Sequence, residues 1–180
     1  EAGTAQKYAM SIRNIIDIYH HRNVPKYRDR YKEAFTLFIG NLKGGVSKTV
    51  STVSLAHGLR THPHLICEDL RILVIDLDPQ SSATMFLDHK QSVGSVETTA
   101  AQAMLQNVTR EELLSDFILP SVVQGVDVIP ASIEDAFIAS QWEVLCNEYL
   151  PGHNIYTVLR ENIINKLRQD YDFIFIDSGP

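Results

Sequence analysis

The stretch Lys43-Gly44-Gly45-Val46-Ser47-Lys48-Thr49 brings two lysines, two glycines and two hydroxyls into seven residues. Glycines let a backbone approach a phosphate closely, and successive N–H groups at the start of a helix hold an anion. A lysine in the place of Lys48 reaches the β and γ phosphates of a nucleotide, and a hydroxyl in the place of Thr49 is offered to Mg²⁺. Val50 closes this candidate nucleotide-binding stretch. A chance glycine-rich turn would share the composition but not the setting. Here an apolar run of β character precedes the loop and a helical pattern follows it, the context a phosphate-binding loop requires.

Acidic residues accompany the loop at two later points. Asp76 and Asp78 lie in Asp76-Leu77-Asp78-Pro79-Gln80, behind a second apolar run. Carboxylates at i and i+2 share one face of a strand, and the carboxyl ends of strands are where α/β sheets bind ligands. Two carboxylates beside phosphates suit Mg²⁺, which takes few protein ligands and keeps several waters. The structural alternative is a turn cap for Pro79 and Gln80. Asp177 ends a further run, Ile174-Phe175-Ile176, and is a candidate to orient Mg²⁺ through water.

Positioning these groups calls for parallel strands that end together. Phe35 to Ile39 reads as a buried strand stopped by Gly40. Residues 48–60 read as a helix, with Val50, Val53, Leu55, Ala56 and Leu59 on its core side. Residues 71–76 read as a second strand, so the unit is βαβ with a right-handed crossover. Helices are expected over 81–88, 97–106, 110–117, 132–149 and 154–169, with strands over 126–130 and 172–177. The fold class is α/β: a parallel sheet with helices on both faces. A strand ending in an acid should lead into more structure, so residues 34–180 are expected to be an α/β domain incomplete at its C-terminus. The chain is expected to be a fragment of a longer protein.

Residues 1–33 have a different texture. Ser11 is a plausible helix cap, and Ile12, Ile15, Ile16 and Tyr19 follow as one apolar stripe over residues 11–20. After Pro25, charge and tyrosine interleave from Lys26 to Lys32. The net charge of −6 divides unevenly: seven Lys/Arg against four Asp/Glu in 1–33, nine against eighteen in 34–180. A basic head on an acidic body makes the head the candidate nucleic-acid contact, through Arg22, Lys26, Arg28 and Arg30. The plainer alternative is a solvated linker.

The loop departs from the standard G-x-x-x-x-G-K-[ST] pattern, with Leu42 and Ser47 in the places of its two glycines and Lys43 as an additional lysine. Residues 43–49 resemble the deviant Walker A motif, Lys-Gly-Gly-x-x-Lys-Ser/Thr, of the ParA/MinD ATPases. A serine at position 47 is expected to adopt helical φ/ψ. The stretch from Asp76 to Thr84 and the run Val128-Ile129-Pro130-Ala131-Ser132 resemble the plasmid-partition, ParA-type branch. The basic head resembles the end of the N-terminal winged helix-turn-helix of the larger members.

This resemblance implies a P-loop ATPase domain and an ATP/ADP cycle with Mg²⁺. It implies Lys43, Lys48 and Asp78 as catalytic residues: Lys43 reaching across an ATP-sandwich homodimer, Lys48 neutralising β/γ charge, and Asp78 orienting the attacking water. It implies Thr49, Asp76 and Asp177 at or near the metal. It also implies a ParB-type centromere-binding partner, DNA binding that is non-specific or directed at an operator, and a cytoplasmic, nucleoid-associated protein. A nucleotide-responsive repressor with negligible hydrolysis is the rival reading.

Composition trims the field. Two cysteines, Cys67 and Cys146, form no disulfide framework or zinc pattern, and they offer no cluster-ligating pair of the nitrogenase iron-protein kind. No apolar run approaches the roughly 18–20 residues of a membrane span. Membrane recruitment of the MinD kind would need a C-terminal amphipathic helix, which is not expected within these residues, and a reducing cytoplasm is the default compartment.

Overall fold

The computed structural model describes residues 9–41, 47–87 and 98–179. Five strands form one sheet in the order β1-β5-β2-β4-β3: β1 Phe35–Ile39, β2 Ile72–Asp76, β3 Leu119–Pro120, β4 Val126–Ile129 and β5 Phe173–Asp177. The four longer strands run parallel, and β3 is a two-residue antiparallel edge on β4. That edge is too short to carry an alternating pattern, so periodicity does not announce it.

Side chains of a strand alternate between faces, and here each face has its own core. Ile72, Val74, Val126, Val128 and Phe175 pack with Ala56, Ala83 and Leu87, from α3 (Lys48–Thr61) and α4 (Ser82–Leu87). Leu73, Ile75, Ile129, Ile174 and Ile176 face the other way. They pack on α5 (Ala100–Gln106), the wide turn Leu113–Phe117 that continues α6 (Arg110–Glu112), α8 (Trp142–Tyr149) and a last helical segment. That segment comprises a wide turn, Arg160–Ile164, and α9, Asn165–Leu167. A mostly parallel sheet with helices on both faces is the expected class.

The head forms α1 (Ile12–His21) and the single turn α2 (Tyr27–Arg30). Ser11 caps α1 in a reciprocal box with Asn14, and Ile16 is its buried residue, on the expected stripe. Tyr27 packs on Tyr31 and on Phe173 of β5, with ring centroids 4.6 and 5.0 Å apart.

Several expectations need correction. The helix expected over 132–149 is two helices, α7 (Asp135–Ser140) and α8, because Gln141 leaves helical geometry and its N–H is shared between Phe137 O and Ile138 O. Val144 of α8 is exposed. Regular helix in the last segment begins at 158 rather than 154, since Asn154 closes a local turn on the Tyr156 N–H. On α3 the buried residues are Thr52, Ala56 and Arg60, while Val50 and Leu55 point to solvent.

Candidate functional site

The carboxyl ends of β1, β5 and β2 lie side by side. Register pairs Ile39 with Asp177 and Asp177 with Asp76. The end of β1 and the start of α3 therefore lie beside strand ends that carry two carboxylates. Lys43, Gly44, Gly45 and Val46 lie outside the described residues, but both ends of the loop are placed. Ser47 caps α3 at φ 60°, ψ 27°, in the left-handed region, not the helical region expected of it. A β-carbon there costs roughly 1–2 kcal/mol, which explains the use of glycine at this place in the standard pattern. Lys48 opens α3, and its Nζ donates back to Asn41 O at 3.3 Å, across the mouth of the loop.

Asp177 is the buried anchor beneath Lys48. The Thr52 hydroxyl lies 3.1 Å from Asp177 Oδ1 and 3.0 Å from Lys48 O. Burial pushes the Asp177 pKa up, against the hydroxyls of Thr49 and Thr52; the nearby Asp78 charge adds to the rise and Lys48 opposes it. Among the described residues its buried Oδ2 has no hydrogen-bond partner. An orphaned carboxylate oxygen beside a threonine hydroxyl and a lysine fits the water shell of Mg²⁺, because a cation there would relieve the burial cost.

Asp76 has a different office. Its Oδ1 accepts from Asp78 N at 3.0 Å; its Oδ2 accepts from Thr84 N at 2.8 Å and Thr84 Oγ1 at 2.7 Å. Ala131 N donates to Thr84 Oγ1 at 3.2 Å, so this cluster ties together the ends of β2, α4 and β4. Burial pushes the Asp76 pKa up to about 6, despite these donors. Both oxygens are occupied by the protein, which leaves Asp177 as the carboxylate with a vacant acceptor toward the loop.

Asp78 does not share a strand face with Asp76, because β2 ends at Asp76. It stands in the following turn, where its Oδ1 caps Gln80 N at 2.9 Å. The turn-cap reading is thus met, but the side chain also lies against Gly179 beyond β5 and borders an open cleft of about 520 Å³ with Pro79, Gln80, Ser178 and Gly179.

Three of the four basic residues expected to meet DNA pair with acids of the body, Arg30 while still exposed. Lys26 Nζ pairs with Asp69 Oδ2 at 2.8 Å, Arg28 reaches Asp69 at 3.5 Å and Asp172 at 3.4 Å, and Arg30 grips both oxygens of Glu68 at 2.8 and 2.9 Å. The acidic body attracts the basic head, which composition shows only as two opposite sums. Arg22 stays exposed. Thr52, Thr84, Asp69 and Asp172 were not singled out by sequence. For Thr52 the signal was a hydroxyl four residues after Lys48, on the same helix face.

Comparison with known proteins agrees with this geometry. A family model described as an AAA domain matches residues 35–180, and one described as a ParA helix turn helix domain matches residues 1–31. The chain is 75% identical over 179 residues to plasmid partition protein A of Escherichia coli, covering 99% of this chain and 45% of that protein. It is 29% identical over 146 residues to the sporulation initiation inhibitor protein Soj of Bacillus subtilis, covering 79% and 48%. The chain thus spans less than half the length of these relatives. Among solved structures, one described as a partition protein superposes with a TM-score of 0.82 at 52% identity, over 99% of this chain and 46% of that one. An ATP complex of Cyanothece McdA shares the fold at a TM-score of 0.62 and 23% identity, over 83% and 49%. With the AAA domain model matching residues 35–180, the chain belongs to the AAA domain family, behind a stretch, residues 1–31, that matches a ParA helix turn helix domain.

Proposed function

We propose that the protein is a plasmid-partition ATPase whose Mg-ATP state switches dimerisation and DNA binding. The observation that carries this reading is the constellation at the start of α3: Lys48 next to the candidate phosphate loop, with Thr52 on a buried Asp177 whose second oxygen has no partner among the described residues. Residues 34–180 are taken as the ATPase domain and 1–33 as the end of the DNA-binding region and its linker.

The residues divide the work as follows. Backbone N–H groups from Lys43 to Val50 and the positive end of α3 bind the phosphates. Lys48 neutralises β/γ charge. Thr49 and Asp177 would hold Mg²⁺, directly and through water respectively, and the ion when bound supplies charge neutralisation on the phosphates. Asp76 secures the strand end and the turn that carries Asp78. Asp78 orients the attacking water, so catalysis is positioning and electrostatics rather than covalent chemistry. Lys43 supplies a cation to the partner subunit of a homodimer. Non-specific DNA contact belongs to the dimer, operator contact to the helix-turn-helix region with Arg22 as its exposed cation, and a ParB-type centromere-binding protein is the partner that stimulates hydrolysis. Such a cycle works in the cytoplasm on the nucleoid. Among the described residues no helix is long and apolar enough to cross a membrane.

The test is Mg-dependent hydrolysis by the full-length protein, alone, with DNA, and with DNA plus its partner. Stimulation by DNA and partner is expected. Nucleotide binding that alters operator affinity with no hydrolysis under any of these conditions would replace the reading with the nucleotide-responsive repressor.

A further inference from the structure

The far end of α3 holds a second charged assembly that the ATPase chemistry does not use. Arg60, in the last turn of α3, is 4% exposed although it carries a permanent charge. Its Nε donates to Gln124 O at 2.6 Å and its Nη1 to Asp69 Oδ1 at 3.1 Å. The guanidinium lies so close to Gly125, at φ 91°, that no side chain would fit there. Asp69 is itself held at φ 48° after a short 3₁₀ turn, so its carboxylate is fixed by the backbone. The other oxygen of that carboxylate takes Lys26 and Arg28 from the head. Arg28 also reaches Asp172, which is buried at the entrance to β5 and accepts from Arg71 N at 2.7 Å. One carboxylate therefore joins the helix that begins at the phosphate loop to the segment that carries the helix-turn-helix region.

The seam is movable on the head's side. A polar cleft of about 240 Å³ lies between α1 and the body, bordered by Arg13, Asp17, Lys26, Arg60 and Asp69. Arg60 is locked into the body, whereas Lys26 and Arg28 are each about a quarter exposed. An exposed side of an ion-pair network exchanges partners at little cost, while the buried side does not.

We propose that Asp69 is a clasp which couples nucleotide at the start of α3 to the position of the helix-turn-helix region. α3 has 14 residues, about 21 Å of rigid rod, with Lys48 at one end and Arg60 at the other. A tilt of α3 on filling the loop moves Arg60 against Asp69, and Asp69 then redistributes its bonds to Lys26 and Arg28. Coupling of this kind needs an element that both sites touch, and α3 with Asp69 is that element. The proposal deepens the nucleotide-switch reading and rests on it.

Hydrogen exchange on the full-length protein tests it, with and without Mg-ADP and a non-hydrolysable ATP analogue. Two regions are read separately: the first turns of α3, and α1 with α2. In the wild type, nucleotide is expected to protect both, with the exchange rate of α1–α2 changed by at least about fivefold, the lower range of ordinary coupling. Asp69→Asn keeps a residue tolerant of positive φ and removes the charge. It should retain the nucleotide response in α3 and lose it in α1–α2. Lys26→Gln, at a side chain about a quarter exposed, should reduce that response without threatening the fold, and it carries the test should Asp69→Asn not fold. An α1–α2 response preserved in the variants, or absent from a wild type whose α3 responds, overturns the clasp. Absence of any nucleotide response in wild-type α3 strikes the proposed function itself, and the clasp falls with it.

Discussion

Two aspartates two residues apart have separate fates because a strand ends between them. Asp76 closes β2 and is saturated by Asp78 N and Thr84; Asp78 stands in the turn beside an open cleft. Asp78→Ala should therefore leave Mg-ATP binding nearly intact and lower turnover roughly 10²-fold or more, since water positioning acts only toward the transition state. Equilibrium nucleotide binding beside steady-state hydrolysis checks this. An equal loss of both would make Asp78 a ligand-binding residue instead. Asp76 should show itself in stability. Its folded pKa, about 6, stands above the ordinary 3.8, so the folded state holds a proton that the unfolded state releases. Its contribution is full below about 3.8 and is lost as pH rises to about 6, a fall of about 3 kcal/mol at most. Asp69 acts in the opposite sense: burial raises its pKa, but bonds from Lys26 and Arg60 and the charges of Lys26 and Arg28 bring it below the ordinary value, so its contribution is lost as pH falls. Urea unfolding of wild type and Asp76→Asn from pH 4 to 7 should show a declining stability difference through pH 6 and a flat one above.

At the scale of elements, α3 shows what the sequence reveals and what it hides. Its start, its capping position and its length follow from the loop motif and from the connector after Thr61, and the strands on either side are legible as apolar runs. Its buried face is not. Apolar periodicity favours Val50, Val53, Leu55, Ala56 and Leu59; Ala56 is buried and Val53 and Leu59 pack against the core, but Val50 and Leu55 are exposed while Thr52 and Arg60 are buried. A threonine is needed there for Asp177, an alanine allows close approach to the sheet, and Arg60 finds Gln124 O and Asp69. Each polar member is satisfied by a partner more than eight residues away in sequence, which a local pattern does not contain. The ion pairs of the basic head are hidden for the same reason: its partners Asp69, Glu68 and Asp172 lie in the body. The reading predicts an asymmetry between neighbours on α3. Ala56→Leu, at a site with no exposure, should cost about 1–3 kcal/mol by overpacking. Leu55→Ala, at an exposed site, should stay within about 0.5 kcal/mol of wild type. Thermal unfolding of the two variants compares them, and equal costs would mean that α3 packs through a different face.

The proposed nucleotide site lies at the carboxyl end of the sheet, and the proposed head-to-body clasp lies at the other end of α3. Lys48 Nζ donates to Asn41 O, and in the proposed reading it supplies the charge for the β/γ phosphates within the subunit. Lys43 is the extra cation, and the resemblance to the ParA/MinD ATPases gives it the opposite direction, into a second subunit. A lysine suits that task because its long stem carries a compact charge across an interface. Cations supplied in trans to phosphoryl transfer are worth up to about 10³–10⁵ in rate in the arginine-finger cases, and a slow switch should show less. Lys43→Gln is therefore expected to bind ADP as a monomer with unchanged affinity, and to lose ATP-dependent dimerisation, DNA binding and hydrolysis together. Equilibrium sedimentation with a non-hydrolysable ATP analogue measures the first loss, and DNA binding at fixed salt measures the second, since phosphate contacts weaken steeply with ionic strength. Joint loss with intact ADP binding marks Lys43 as the residue through which one subunit senses its partner's nucleotide. A variant that dimerises and binds DNA normally would reduce Lys43 to a surface charge beside the loop, and the sandwich dimer would need another cation.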